Sequence, residues 1–242
     1  MSPIYVPGKV VLKKESVAAD PYYNNVSLLL HGDGANGSTT FVDSSTNART
    51  ATRTGNTQIT TAQSKYGGAS IEFGGNVDFL RINGNSNLAF GTGDFTIECW
   101  VRPTVSRKQF APVVDFRTLV NGAFPTLLYY DTNGSIGYFV NNSTVISGGT
   151  LGLDTWSHLA VSRSGTSTRL FINGSQSGST WTDTSNYQTE SNGPVIGQNG
   201  LNSANSLFSF SGYIDELRIT KGIARYTSNF AVPTAPFPEV LG

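Results

Sequence analysis

The chain has 242 residues, with 16 Lys plus Arg against 16 Asp plus Glu; only 13% of residues are charged and 38% are hydrophobic. A formal net charge of zero offers no basic surplus to attract phosphate backbones or acidic lipid headgroups, which argues against nucleic-acid and membrane partners. The single cysteine, Cys99, excludes an intramolecular disulfide and any thiolate metal cluster. Gly, Ser, Thr and Asn fill the deficit in charge, while 14 Phe, 10 Tyr and 3 Trp provide the area for a sizeable core.

In chain order, residues 1–25 read as an extended N-terminal arm, because Pro3, Pro7 and Pro21 interrupt regular structure. The arm lacks the basic start and apolar run of a signal peptide, so synthesis in a cytoplasm is expected. The core pattern begins at Val26-Ser27-Leu28-Leu29-Leu30-His31 and breaks at the sharp turn Gly32-Asp33-Gly34. One helical turn is expected around 62–66. Strands are expected at 69–73, 77–82, 95–102, 111–116, 126–130, 135–140, 156–163, 168–173, 194–197 and 207–219. The dipeptides Asn83-Gly84, Asn133-Gly134 and Asn173-Gly174 favour tight hairpins, since both residues tolerate positive φ. Residues 231–242, with Pro233, Pro236 and Pro238, read as a C-terminal tail along the surface. Many short strands without a long amphipathic helix predict an all-β sandwich or jelly roll.

Period-2 alternation assigns the strand faces. Phe95, Ile97, Cys99 and Val101 share one side of their strand, with Thr96, Glu98 and Trp100 on the other. Leu159 and Val161 oppose Trp156, His158 and Ala160; Leu170 and Ile172 oppose Arg169 and Phe171. Aromatic residues on both faces predict that something covers the outer side of the sheet. Cys99 is expected to be a buried small hydrophobe, and His158 a surface or interface residue.

Several stretches in fixed order carry a family resemblance. They are Ser27-Leu28-Leu29-Leu30-His31-Gly32-Asp33-Gly34, Tyr66-Gly67-Gly68-Ala69-Ser70-Ile71-Glu72-Phe73, Gly93-Asp94-Phe95-Thr96-Ile97-Glu98-Cys99-Trp100-Val101-Arg102-Pro103 and Gly212-Tyr213-Ile214-Asp215-Glu216-Leu217-Arg218-Ile219-Thr220. Trp156-Ser157-His158-Leu159-Ala160-Val161 and Leu170-Phe171-Ile172-Asn173-Gly174 lie between the last two. This set resembles the laminin-G-like branch of the concanavalin-A-like lectin/glucanase superfamily over about residues 26–230. It implies a two-sheet antiparallel jelly-roll sandwich, and the ending Ala224-Arg225-Tyr226-Thr227-Ser228-Asn229-Phe230 resembles those of bacteriophage structural proteins.

Glycoside hydrolysis needs two carboxyls facing each other across the bond, about 5–5.5 Å apart for retention. No acidic run at even spacing occurs, and the adjacent Asp215 and Glu216 are expected on opposite strand faces. His31 and His158 are the only histidines, and no Gly-x-Ser-x-Gly elbow precedes a helix. The chain is therefore not expected to be an enzyme. Calcium is the one metal with a physical case, because it accepts carboxylate and carbonyl oxygens in irregular geometry. The resemblance assigns Asp33 and Asp215 as its ligands, with Gly74 as a carbonyl donor, and Asp43 and Asp78 lie near the same region. The alternative is that Asp33 caps its own turn and Asp215 pairs with Arg218 or an amide. For sugar binding, Tyr129, Tyr130, Tyr138, Trp181 and Tyr187 lie near Asn- and Ser-rich loops and supply aromatic faces; the alternative is that they belong to the edge of the core.

These readings combine into an expected non-enzymatic virion surface protein of a bacteriophage, a capsid decoration or a tail-fibre component. The arm would attach it to other virion proteins, the sandwich would adhere to a host-surface glycan, and a homotrimer would suit such a part. The alternative is a stand-alone calcium-dependent lectin-like module.

Overall fold

The computed structural model describes residues 4–6, 9–11, 19–84, 86–104, 110–117, 122–130, 133–188 and 193–241. The strands are β1 (Ile4–Val6), β2 (Lys9–Val11), β3 (Val26–Leu30), β4 (Ala51–Thr54), β5 (Gln58–Thr60), β6 (Ser70–Gly74) and β7 (Phe79–Ile82). Next come β8 (Phe95–Pro103), β9 (Ala111–Asp115), β10 (Thr126–Tyr130), β11 (Ser135–Val140) and β12 (Ser143–Thr150). The last are β13 (Ser157–Ser164), β14 (Ser167–Ile172), β15 (Ser175–Gln176), β16 (Trp181–Thr182), β17 (Val195–Ile196) and β18 (Ser211–Lys221).

Two antiparallel sheets form the sandwich. One runs β12-β11-β10-β9-β17-β7-β4; the other runs β15-β14-β13-β8-β18-β6-β5, with β3 beside β18 and β16 beside β14. β1 and β2 pair with each other and with neither large sheet. The inward row of β8 is the predicted Phe95, Ile97, Cys99 and Val101, joined by Leu159, Val161, Leu170, Ile214, Leu217 and Ile219. They face Leu80, Val114, Leu127, Ile136, Tyr138, Ile146 and Ile196 of the other sheet, and none of these core residues is more than 2% exposed. Burying each such aliphatic side chain contributes roughly 1.5–3 kcal/mol.

In the two large sheets the strands that alternation missed are β4, β5, β12, β15 and β16; the first four are the end strands of their sheets, and β15 and β16 have only two residues each. Residues 62–66 form no helix. The expected strand 207–219 is divided: Ser206–Phe208 is a 3-10 turn and the strand starts at Ser211. Asn133-Gly134 and Asn173-Gly174 do turn hairpins, β10–β11 and β14–β15. Asn83-Gly84 does not; Asn83 pairs with Thr50 through its amide and its side-chain oxygen, and the chain then crosses to the other sheet.

The outer face of the β8–β13–β18 sheet is covered by residues 222–241, which explains the aromatics on both strand faces. Tyr226 and Phe230 stack at 3.5 Å and meet His158 and Phe171 edge-on. His158 is consequently fully buried at the interface between the sheet and its cover, not on the open surface. Phe237 is buried with Val26 and Leu29, and its ring lies 3.7 Å from the Arg218 guanidinium. The proline-containing tail is thus docked on the sandwich. Residues 19–25, read from sequence as the end of the arm, are docked too. Asp20 is 3% exposed and binds Arg218 at 3.0 Å and Arg225 at 2.7 Å.

Candidate functional site

At the end of β3, Gly32 and Gly34 turn the chain through positive φ and present Asp33 to the loop at residues 64–68. From the other side, Asp215 Oδ2 accepts the main-chain amides of Lys65 at 2.7 Å and Tyr66 at 3.1 Å. The first and last strands of the sandwich, β3 and β18, are neighbours, so two acids far apart in sequence meet at one turn. That turn requires glycine. Gly67 has φ +65, and a Cβ there would stand 2.0 Å from Asp33 Oδ1.

A bulge interrupts β18 between Asp215 and Arg218, with Glu216 at φ 52. It cancels the expected separation of Asp215 and Glu216 onto opposite faces. Glu216 Oε2 instead accepts the amide of Phe237 in the covering tail, at 2.7 Å. His31 bridges two carboxylates, with Nδ1 2.7 Å from Glu216 and Nε2 2.9 Å from Glu239. Burial alone would lower the His31 pKa, but Glu216 and Glu239 outweigh it and raise it. Asp215 is fully buried, and its Oδ1 has no hydrogen-bond partner. Burial, reinforced by Glu216 and Asp33, pushes its carboxyl up to about 7 even though two amides oppose this. Asp33 is raised as well, chiefly by burial.

Asp33 and Asp215, the two acids that the resemblance names for calcium, both stand at the turn 64–68, whereas Gly74 stands apart from them. Gly74 pairs with Ser211, four positions before Asp215 and so about 13 Å away along the strand. Its amide donates to Asp78 Oδ2 at 3.0 Å, while Asn56 donates to Asp78 Oδ1, so Asp78 closes its own turn. Asp43 is likewise occupied, by the amides of Leu29, Ser45 and Arg49. Among the described residues no three His, Cys, Asp or Glu side chains converge as a metal cluster. A calcium ion held by Asp33 and the orphaned Asp215 Oδ1 would complete its shell from carbonyls and water. The residues fit such an ion because it supplies the partner that Asp215 Oδ1 lacks.

The aromatics selected for sugar stacking fare differently. Tyr138 and Tyr187 are fully buried and cannot offer a face to a ligand. Tyr138 donates to Tyr187 at 3.0 Å, and Tyr187 donates to Asp183 at 2.8 Å. Trp181 packs partly buried against the core, 6.3 Å from the Tyr138 ring. Tyr129 and Tyr130 end β10, and their side chains lie outside the described residues. Tyr187→Phe would leave the Tyr138 hydroxyl without its acceptor and take one bond from Asp183, which keeps Thr168 and the Ser185 amide; a loss of about 1–3 kcal/mol in chemical denaturation is expected, with no change in ligand affinity.

The sequence reading missed His31, Glu216 and Glu239 as members of the acidic cluster, and Gly67 as its glycine. The motifs containing His31 and Gly67 were visible, but the bulge and the tail that join them were not.

No curated protein matches the chain. Among solved structures, domain 4 of an extracellular arabinanase from Geobacillus stearothermophilus, in complex with arabinotriose, superposes with a TM-score of 0.62 at 20% identity. That alignment covers 83% of this chain and 94% of that one. The binding domain of Paraclostridial Mosquitocidal Protein 1 gives 0.59 at 16% identity, over 84% of this chain and 50% of that one. The botulinum neurotoxin serotype D ligand-binding domain, in complex with N-acetylneuraminic acid, gives 0.59 at 13%, over 84% and 49%. The chain spans about half the length of these toxin domains. At such identities the likeness is one of fold. A laminin-G-type family profile matches residues 74–223, more than half of the sequence, and the chain therefore belongs to the concanavalin A-like lectin/glucanases superfamily.

Proposed function

We propose that this chain is a non-catalytic, calcium-dependent carbohydrate-binding domain that serves as the adhesive part of a larger surface assembly. The observation that carries the binding reading is the Asp33–Asp215 site, where a buried carboxylate oxygen has no hydrogen-bond partner at the joint of the first and last strands. The superposed arabinanase domain and neurotoxin domain, solved with arabinotriose and N-acetylneuraminic acid, support a sugar as the ligand class.

The non-catalytic part is supported by how the sheet carboxylates are used. Asp115 holds Arg117 through two bonds, at 2.9 and 2.7 Å, and also accepts from Thr126 and Gly200. Asp183 accepts from Thr168 and Tyr187, and Glu98 from Arg218 and Tyr226. Asp215, with its raised pKa, lies beneath Lys65 and Tyr66 where a glycosidic oxygen has no access. Retention of the chain on a glycan array, lost in chelator and restored by calcium, is expected. Mass spectrometry of the eluted sugars should find them uncut; shortened products would overturn the non-catalytic reading.

The finer setting is a bacteriophage virion, as a capsid decoration or tail-fibre component. Its support is the resemblance of 224–230 to phage structural proteins, together with the arm. Because Asp20 is built into the sandwich, the discriminating deletion removes residues 1–18 only. Loss of incorporation into particles, with the domain still folded, is the expected result; normal incorporation would count against this setting.

A further inference from the structure

The tail leaves one band of the outer sheet face uncovered. Strand registers place Gln58 opposite Glu72, Glu72 opposite Tyr213, and Tyr213 opposite Arg102. Ser157 pairs with Val101, so Trp156 falls beside Arg102, and the Asp154 amide bonds Pro103 to hold that segment in place. All five side chains are partly exposed and point outward, because their neighbours Ile59, Ile71, Ile214 and Val101 fill the core. At one β-strand spacing per step the row is about 19 Å long, with Tyr213 and Trp156 about 10 Å apart.

The row is preorganised. Gln58 donates to Glu72 at 2.9 Å, Arg102 donates to Asp154 at 2.8 Å, and the Arg102 guanidinium lies 5.7 Å from the Tyr213 ring centre. On one side Lys65 sits 3.9 Å from the Trp100 ring and forms a wall; on the other, Gly74, Ser211 and Thr104 are small and leave the band open. Rings that can lie under the C–H faces of sugars thus alternate with planar amide, carboxylate and guanidinium groups, each able to hold a pair of adjacent hydroxyls.

We propose that this row is the ligand strip of the domain, and that it takes a neutral oligosaccharide laid across the strands, its rings on Tyr213 and Trp156 and its hydroxyls on Gln58, Glu72 and Arg102. The class follows from charge: Glu72 and Asp154 balance Arg102 and Lys65, so the strip carries no net charge with which to hold an acidic sugar. The inference rests on the carbohydrate-binding reading and locates it.

The test is an array of neutral and acidic oligosaccharides probed with the full chain, followed by calorimetry of the strongest ligand against variants. Neutral ligands are expected to dominate. Tyr213→Ala and Glu72→Gln should each weaken binding about tenfold or more with an unchanged calcium response. Glu72→Gln preserves side-chain shape, so the test stands if Tyr213→Ala folds poorly. Unaltered affinity in Glu72→Gln and Tyr213→Ala, or selection of acidic sugars, overturns the strip while leaving the domain a glycan binder. Failure of every sugar to bind overturns the carbohydrate-binding reading and the strip together.

Discussion

Glu98→Ala is expected to lower the stability of the domain by about 3–5 kcal/mol, or on the order of 10 °C in Tm. Glu98 has no exposed surface, yet it binds Arg218 through Oε1 at 2.8 and 2.9 Å and accepts the Tyr226 hydroxyl at 2.7 Å. Arg218 and Arg225 both meet Asp20, so removing one carboxylate leaves excess cation within a buried network. Burial alone would raise the Glu98 pKa, but Arg218, His158 and Arg225 outweigh it and hold the carboxyl at about 2 instead of 4.5. A depressed carboxyl pKa stabilises the fold fully above 4.5, and that stability is lost as pH falls from 4.5 toward 2. The amount is on the order of 3 kcal/mol. Asp20, also lowered despite its burial, acts in the same direction. Denaturant titrations between pH 2 and 7 should therefore show a steep acid limb in the wild type and a flatter one in Glu98→Gln. Superimposable limbs would refute the role of Glu98.

Asp215→Asn is expected to do the opposite in calcium-free protein, raising stability by about 1–3 kcal/mol at pH 8. Asparagine keeps the oxygen that accepts from Lys65 and Tyr66 and removes a buried charge whose second oxygen is unpartnered. Calcium should reverse the order. An ion held by Asp33 and Asp215 stabilises the wild type by about 2.7 kcal/mol at a hundredfold excess over Kd, while the variant gains little. Differential scanning fluorimetry of both proteins, with calcium and with chelator, measures the crossover. Equal gains in the two would place the ion elsewhere, and a wild-type curve indifferent to chelator would remove calcium from this protein. Gly67→Ala should mimic the loss of the site, since its Cβ would collide with the Asp33 carboxylate.

The sandwich was legible because its central strands alternate strictly. Phe95 to Val101 on β8 and Leu159 to Val161 on β13 carry large apolar residues at every second position, and a single register buries them. The outer cover was legible as a need, from Trp100, His158 and Phe171, but not as an identity. The stretch that meets it, Tyr226 to Phe237, reads locally as a polar, proline-broken tail. The pairing of Asp33 with Asp215 came from a family pattern, and the structure places both carboxylates on the turn at 64–68. Gly74 was misassigned because two glycine pairs, 67–68 and 74–75, flank the same strand and nothing local separates their roles.

Composition and period-2 alternation by themselves determined an all-β, two-sheet architecture with Cys99 inside it, because burial of alternate side chains is a local property of a strand. Tertiary structure alone decided which polar groups are free. Tyr138 and Tyr187 went inward as a chain of hydroxyls ending on Asp183, Glu98 was neutralised by arginines 120 and more positions away, and a one-residue bulge let Asp215 hold the 64–68 turn while Glu216 holds the covering tail. Only the assembled sheet brings Gln58, Glu72, Tyr213, Arg102 and Trp156 into one open row, because cross-strand neighbours are set by register, which no segment specifies alone.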